Sequence, residues 1–235
     1  MDIGDVIRDL EQIAPPDQAE EMDAGRIGLI IEGRRDVRQV TCALDVTLPV
    51  VRAAAAIDAG LLVVHHTPLW TPVTAISGPF AALLREILSA DLNVYVMHTN
   101  FDHAKGGIND ALSSLLDLSG TDRMSLGICG DCPLTLPEIT RRLAAPLITW
   151  GHPSLPCRLG VVGGSGFDPS LIEEAAALGA EAFLSADLKH AQARASPLPL
   201  LQSTHYALES PGMRMLAGRM GWTYIDDPPV TAVWT

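Results

Sequence analysis

Val40-Thr41-Cys42-Ala43-Leu44-Asp45, then residues 49–59, then Gly60 and Leu61-Leu62-Val63-Val64-His65-His66, decide how this chain folds. The outer two pieces open as short apolar runs with no polar alternation. Such runs are the pattern of strands buried on both faces of a parallel sheet. The alanine-rich piece between them has Pro49 at its start and Gly60 just past its end, which is how a helix is punctuated. Strand, helix and strand repeating at about 20-residue spacing make a βαβ unit. The reading extends outward from there. Residues 1–14 have helical apolar spacing that Pro15-Pro16 stops. Residues 79–90 read as a helix after Gly78-Pro79, residues 93–97 as a strand, and residues 108–117 as a helix after Gly106-Gly107.

Around residues 118–133 the pattern breaks into Gly, Ser, Asp and Cys, and this is read as the boundary between two lobes, 1–125 and 126–235. The second lobe restarts with a helix at 136–143. Strand and turn follow through the Pro-rich stretch from Pro146 to Pro156. A strand at 159–162, a helix at 169–178 capped by Gly179, and a strand at 181–184 come next. A helix at 188–195, a strand at 200–203, a helix at 206–220 and a strand at 222–225 complete the chain. The expected fold class is α/β, with two α/β lobes of mixed, largely parallel sheets.

Composition narrows the function. The 235 residues are 48% hydrophobic with positive mean hydropathy, enough for a good core. A formal net charge of −12 argues against non-specific nucleic-acid binding, which needs basic charge to displace counterions. Arg34-Arg35 and Arg141-Arg142 are the local exceptions. No apolar stretch reaches the roughly 18 to 20 residues of a membrane span. The start of the chain lacks the basic and apolar regions of a signal peptide, so the expected compartment is the cytoplasm.

The chemistry-bearing residues sit at the ends of the apolar runs. Val63-Val64 leads into His65-His66. Val96-Met97 leads into His98, Asp102 and His103. Leu200-Leu201 is followed by His205 and Glu209. The carboxyl ends of strands are where open α/β sheets place ligands, and neutral imidazole is the commonest metal ligand. Neighbouring residues of an extended strand point oppositely, so His65 and His66 either serve two metals, clamp one at a bend, or divide into one core and one solvated ring. His205 and Glu209 are four apart, on one face if helical. That pair suits an ion or a surface hydrogen bond. His98 and Asp102 repeat the spacing, and Asp102 suits a bridge between two cations. His98 and His103 are placed to move protons. The chain holds 16 basic residues, yet only Lys105 and Lys189 are lysines, and both stand inside these clusters. They are candidates to meet an anionic substrate group. Asp187, Lys189 and His190 follow another strand and suit contacts to a ligand or to substrate.

Two motifs keep alternatives open. Gly163-Gly164-Ser165-Gly166 is either a phosphate cradle or a tight strand-to-helix turn. Cys129-Gly130-Asp131-Cys132 is half of a zinc site, a redox pair, or two reduced thiols. With no second Cys-x-x-Cys among the four cysteines, reduced thiols are the preferred reading.

Taken together, these pieces resemble the NIF-three-like family of dinuclear metal-centre proteins, also called type 2 homologues of GTP cyclohydrolase 1. The resemblance runs through Asp23, Gly28-Leu29, Leu44-Asp45-Val46-Thr47, His65-His66 and His98-Thr99-Asn100-Phe101-Asp102. It continues through Gly106-Gly107-Ile108-Asn109-Asp110, Gly163-Gly164-Ser165-Gly166, Ser185-Ala186-Asp187-Leu188-Lys189-His190 and His205-Tyr206-Ala207-Leu208-Glu209. It implies a short form without a middle insertion, with a site at the lobe interface. There it implies two divalent transition-metal ions (iron, zinc, manganese or nickel) on His65, His66, Asp102, His205 and Glu209, with His98 beside them. It also implies a homohexamer. Thr67-Pro68 after the doublet, and Ser203-Thr204 before His205, depart from the usual family pattern. The function this implies is metal-dependent hydrolysis of a nucleotide-like or other small anionic substrate. The alternative is a non-enzymatic metal-binding scaffold, regulator or metal carrier.

Overall fold

The structure is a computed structural model that describes residues 1–232. The chain divides into two compact units. The first comprises Met1–Lys105 and Met213–Pro228, and the second is Gly106–Gly212 with the stretch from Pro229.

The first unit is built on a five-stranded sheet. Its strands are β1 (Gly28–Ile31), β2 (Val40–Ala43), β3 (Leu61–Val64), β4 (Asn93–Val96) and β11 (Thr223–Tyr224), in the order β1-β4-β3-β2-β11. β4, β3, β2 and β11 run parallel, and β1 pairs antiparallel with β4. Every residue of β2, β3 and β4 is buried, which is what the unbroken apolar runs require. Helices α1 (Ile3–Ile13), α2 (Leu48–Ala56), α3 (Gly78–Ser89) and α4 (Thr99–His103) accompany it. α2 starts where Thr47 accepts a hydrogen bond from the Val50 amide, with Pro49 in its first turn. Val50, Val51 and Ala54 of α2 and Ile87 of α3 pack on Leu62, Val64, Val94 and Val96. Burying each of the Val, Leu and Ile side chains among them stabilises the fold by about 1.5–3 kcal/mol.

The second unit carries a six-stranded sheet. Its strands are β5 (Ser119–Arg123), β6 (Ile128–Cys132), β7 (Ile148–Trp150), β8 (Cys157–Val161), β9 (Ala182–Ser185) and β10 (Leu200–Gln202). The order is β5-β6-β8-β9-β10-β7. β8, β9 and β10 are parallel, and the remaining pairs are antiparallel. Alternate strand residues feed two cores. One joins Leu159, Val161, Ala182 and Leu184 to α5 (Ile108–Leu115), α6 (Leu136–Leu143) and the start of α9 (His205–Met220). The other joins Cys129 and Phe183 to α7 (Pro169–Ala177). A short helix α8 (His190–Ala195) lies between β9 and β10.

The mixed, largely parallel α/β architecture is the expected one. Three details differ. The stretch 118–133, read as a boundary, is largely the β5–β6 hairpin at the edge of the second sheet. All five residues of β5 are exposed, so that strand carries no buried apolar face to betray it. The units divide earlier, at Lys105–Gly106, and the chain re-enters the first unit at Met213. Finally, β1 escapes the pattern because its burial is partial. Among the described residues no helix is long and apolar enough to cross a membrane.

Candidate metal centre

Because β2, β3 and β4 are parallel, their carboxyl ends share one edge of the first sheet. Asp45, His65-His66 and His98 all stand just past that edge. The amides of His65 and His66 both donate to the Leu44 carbonyl oxygen, at 3.1 and 3.0 Å. Two successive amides on one acceptor break the strand's alternation. The rings are then not thrown to opposite faces, and their centroids are 5.0 Å apart. His98 precedes the first turn of α4, and its ring centroid is 4.9 Å from that of His65. Donor atoms of His65, His66 and His98 lie within 4.8 Å of one another, a group that can hold a metal ion. Asp102, on α4, brings Oδ1 to 3.6 Å from His65 Nε2. Two ligands at about 2.1 Å from one ion are roughly 3.0–3.4 Å apart, so this pair lies a few tenths of an ångström wider than shared coordination requires.

In the second unit His205 and Glu209 lie on one face of α9, with Nε2 2.9 Å from Oε2. Glu209 is buried, and the Gly163–Gly166 turn wraps it. A Cβ at Gly164 would fall 2.1 Å from Glu209 Oε1 and 3.2 Å from His205 Nε2. The turn is fixed from beneath. The Gly163 amide donates to Asn109 Oδ1, the Gly166 amide to Ser185 Oγ, and Ser185 Oγ to the Gly164 carbonyl. Two of its amides are thus engaged by protein groups, as in a tight strand-to-helix turn. Its role is to make room for the Glu209 carboxylate.

One device recurs at all four donor histidines. Each Nδ1 faces an oxygen acceptor. His65 Nδ1 is 2.8 Å from the Met97 carbonyl, His66 Nδ1 2.6 Å from Asp45 Oδ1, and His98 Nδ1 2.8 Å from Asp23 Oδ1. His205 Nδ1 is 2.6 Å from Asp187 Oδ2. A carbonyl or carboxylate oxygen only accepts, so the proton belongs on Nδ1 and the lone pair on Nε2. That is the tautomer a metal needs, fixed by the outer partners metal-binding histidines use. Asp187 holds its position in the left-handed region, at φ 59. Asp23 is buried. Burial pushes its carboxyl up, but the bonds from His98 and Thr99 prevail and hold it below the usual carboxylate value. These orienting carboxylates are absent from the ligand set expected on sequence, although Asp45 stands at a strand end and Asp23 and Asp187 lie in the quoted motifs. Truncation of Asp45 to Ala is expected to weaken metal binding about 10- to 100-fold while the fold persists, measured by competition with a colorimetric chelator.

His103 pairs with Glu20 at 3.5 Å and is not in the donor group. Lys105 and Lys189 are exposed. Lys189 precedes α8 and donates its amide to Gln192 Oε1. Cys129 and Cys132, three apart on β6, point to opposite faces of the sheet and enter different cores. They cannot converge on one ion. Burial also pushes both thiols up, away from the thiolate a metal requires. Replacing both cysteines with Ala is therefore expected to leave metal content unchanged by elemental analysis.

An α/β chain that gathers histidines and carboxylates beyond its strand ends has groups that could hold a metal ion. The Duf34/NIF3 (NGG1p interacting factor 3) family matches residues 1–226, and the chain belongs to that family. A protein named GTP cyclohydrolase 1 type 2 homolog, from Streptomyces coelicolor, is 32% identical over 94% of this chain and 88% of its own length. Among solved structures, reduced HcgD from Methanocaldococcus jannaschii is 27% identical, with a TM-score of 0.81 over 95% of this chain and 96% of its own. Staphylococcus aureus protein SA1388 shares the fold at 21% identity, with a TM-score of 0.86 over 99% of both chains.

Proposed function

We propose that the donors of both units serve one dinuclear centre of divalent transition-metal ions, and that the centre hydrolyses a small anionic substrate. His65, His66, Asp102, His205 and Glu209 are the ligands in this reading. His98 joins them, because its donor nitrogen groups with those of His65 and His66. The observation that carries the reading is the fourfold repetition of an Nδ1–oxygen contact, which presents four Nε2 lone pairs.

When bound, such ions supply Lewis acidity and a water of lowered pKa. The protein's share is orientation and charge. Met97, Asp45, Asp23 and Asp187 keep protons on the outer nitrogens. His103, next to Asp102 and tethered to Glu20, moves protons, and Lys105 and Lys189 meet the anionic group. The relatives' name, GTP cyclohydrolase 1 type 2 homolog, makes GTP the first compound to test. A homohexameric, cytoplasmic assembly completes the reading.

The test incubates zinc-, manganese- and iron-reconstituted protein with GTP and with p-nitrophenyl phosphate. Turnover that a chelator abolishes and metal restores supports the hydrolase. Stoichiometric metal without turnover of any nucleotide tried would assign the chain to metal carriage or scaffolding instead.

A further inference from the structure

The loop after the histidine doublet leaves Trp70 41% exposed and Val73 45% exposed. Trp combines a large apolar ring with a polar N–H, and for that reason is enriched at interfaces. Trp70 does not lie at random. Its ring meets the His98 ring edge-on, with centroids 5.1 Å apart and planes at 80°. Beside it opens a pocket of about 330 Å³ lined by Gly25, Arg26, Leu69, Trp70, Pro72 and Val73, among others. That volume is at the small end of the range for small-molecule sites. It suits one ring system, and it is too small for a peptide. The pocket is also prebuilt. Arg26 Nε donates to the Trp70 carbonyl at 2.8 Å and Arg26 Nη1 to the Met22 carbonyl, so the two lining segments are tied together. Arg26 thereby brings a guanidinium to a wall of mixed polarity that also carries Trp70, Leu69, Pro72 and Val73.

We propose that this pocket is a subsite for a flat heteroaromatic ring, and that the ligand belongs to the class of ring-bearing anionic small molecules. The ring stacks on Trp70, and Arg26 adds a cation whose planar group also stacks on π-systems. The Trp70 ring, which lines the pocket, also touches the His98 ring, so in this proposal the anionic end of the ligand extends toward the metal donors. The inference rests on the metal-centre reading for its place, but its test does not depend on metal.

The experiment compares guanosine 5′-monophosphate with ribose 5-phosphate, which lacks the ring, by calorimetric titration. Both metal-free and metal-reconstituted full-length protein are used, and metal content is measured separately. The nucleotide is expected to bind more tightly than the sugar phosphate in both forms. Trp70→Ala should weaken nucleotide binding about tenfold or more, the size of a lost base–aromatic stack. Trp70→Phe should recover most of it, and neither variant should change metal content. Equal binding of the two ligands, or nucleotide binding indifferent to Trp70→Ala, would overturn the subsite. Loss of metal binding in wild type would sink the metal centre and leave the ring comparison intact.

Discussion

If the proposed dinuclear centre holds about two ions per chain, His65→Ala is expected to lower bound metal to fewer than one; that is the largest functional effect expected of any single side chain here. His65 is fully buried and its ring is held between the Met97 carbonyl and Asp102. Its nitrogen also groups with those of His66 and His98. Removing it takes a donor from that group and leaves Asp102 without its imidazole neighbour. A truncation at a buried site costs about 1–3 kcal/mol by itself, so loss of metal must be separated from loss of fold. Imidazole added in solution makes the separation. It fills the space left by the ring and is expected to restore part of the metal content of a folded variant. Metal content equal to wild type in His65→Ala would remove His65 from the ligand set.

Gly164→Ala is expected to cost more stability than any other substitution predicted for the site. Gly164 has φ +65, a region that residues with a Cβ enter at a cost of roughly 1–2 kcal/mol. The added Cβ would also lie 2.1 Å from Glu209 Oε1 and 3.1 Å from its carboxyl carbon. Glu209 is buried, so it has little room to retreat, and overpacking of this sort costs about 1–3 kcal/mol. Together these amount to about 2–5 kcal/mol. A chain of this size loses about 2–4 °C of Tm per kcal/mol, so Tm should fall by roughly 5–20 °C. Gly179→Ala is the internal control. It has φ +86 but meets nothing closer than 3.6 Å. It should show the backbone cost alone. Equal Tm losses in the two variants would mean that the Gly163–Gly166 turn does not hold Glu209.

The parts of this protein legible in its sequence share one physical cause. β2, β3 and β4 are buried on both faces, so they had to be continuous apolar runs, and such runs are visible. Parallel strands expose ligands at one end, so the histidines following those runs marked the site. Helical spacing likewise put His205 and Glu209 on one face of α9. What stayed hidden depends on contacts distant in sequence or on local geometry without a signature. Asp23 reaches His98 across 75 positions, and Asp45 reaches His66 across 21. No periodicity links such pairs. The bend that gathers His65 and His66 depends on one carbonyl, that of Leu44. The Gly163–Gly166 turn and the Cys-x-x-Cys pair were ambiguous for a different reason. Their meaning turns on which amides are already engaged and on which sheet face each thiol enters.

The most direct test of the central claim is X-ray absorption spectroscopy of the zinc-reconstituted protein. Nitrogen and oxygen neighbours at about 2.0–2.2 Å with imidazole outer scattering, and a second zinc at about 3.5–4 Å, are expected. Sulfur neighbours at about 2.3 Å, or zinc that fails to bind at all, would contradict it.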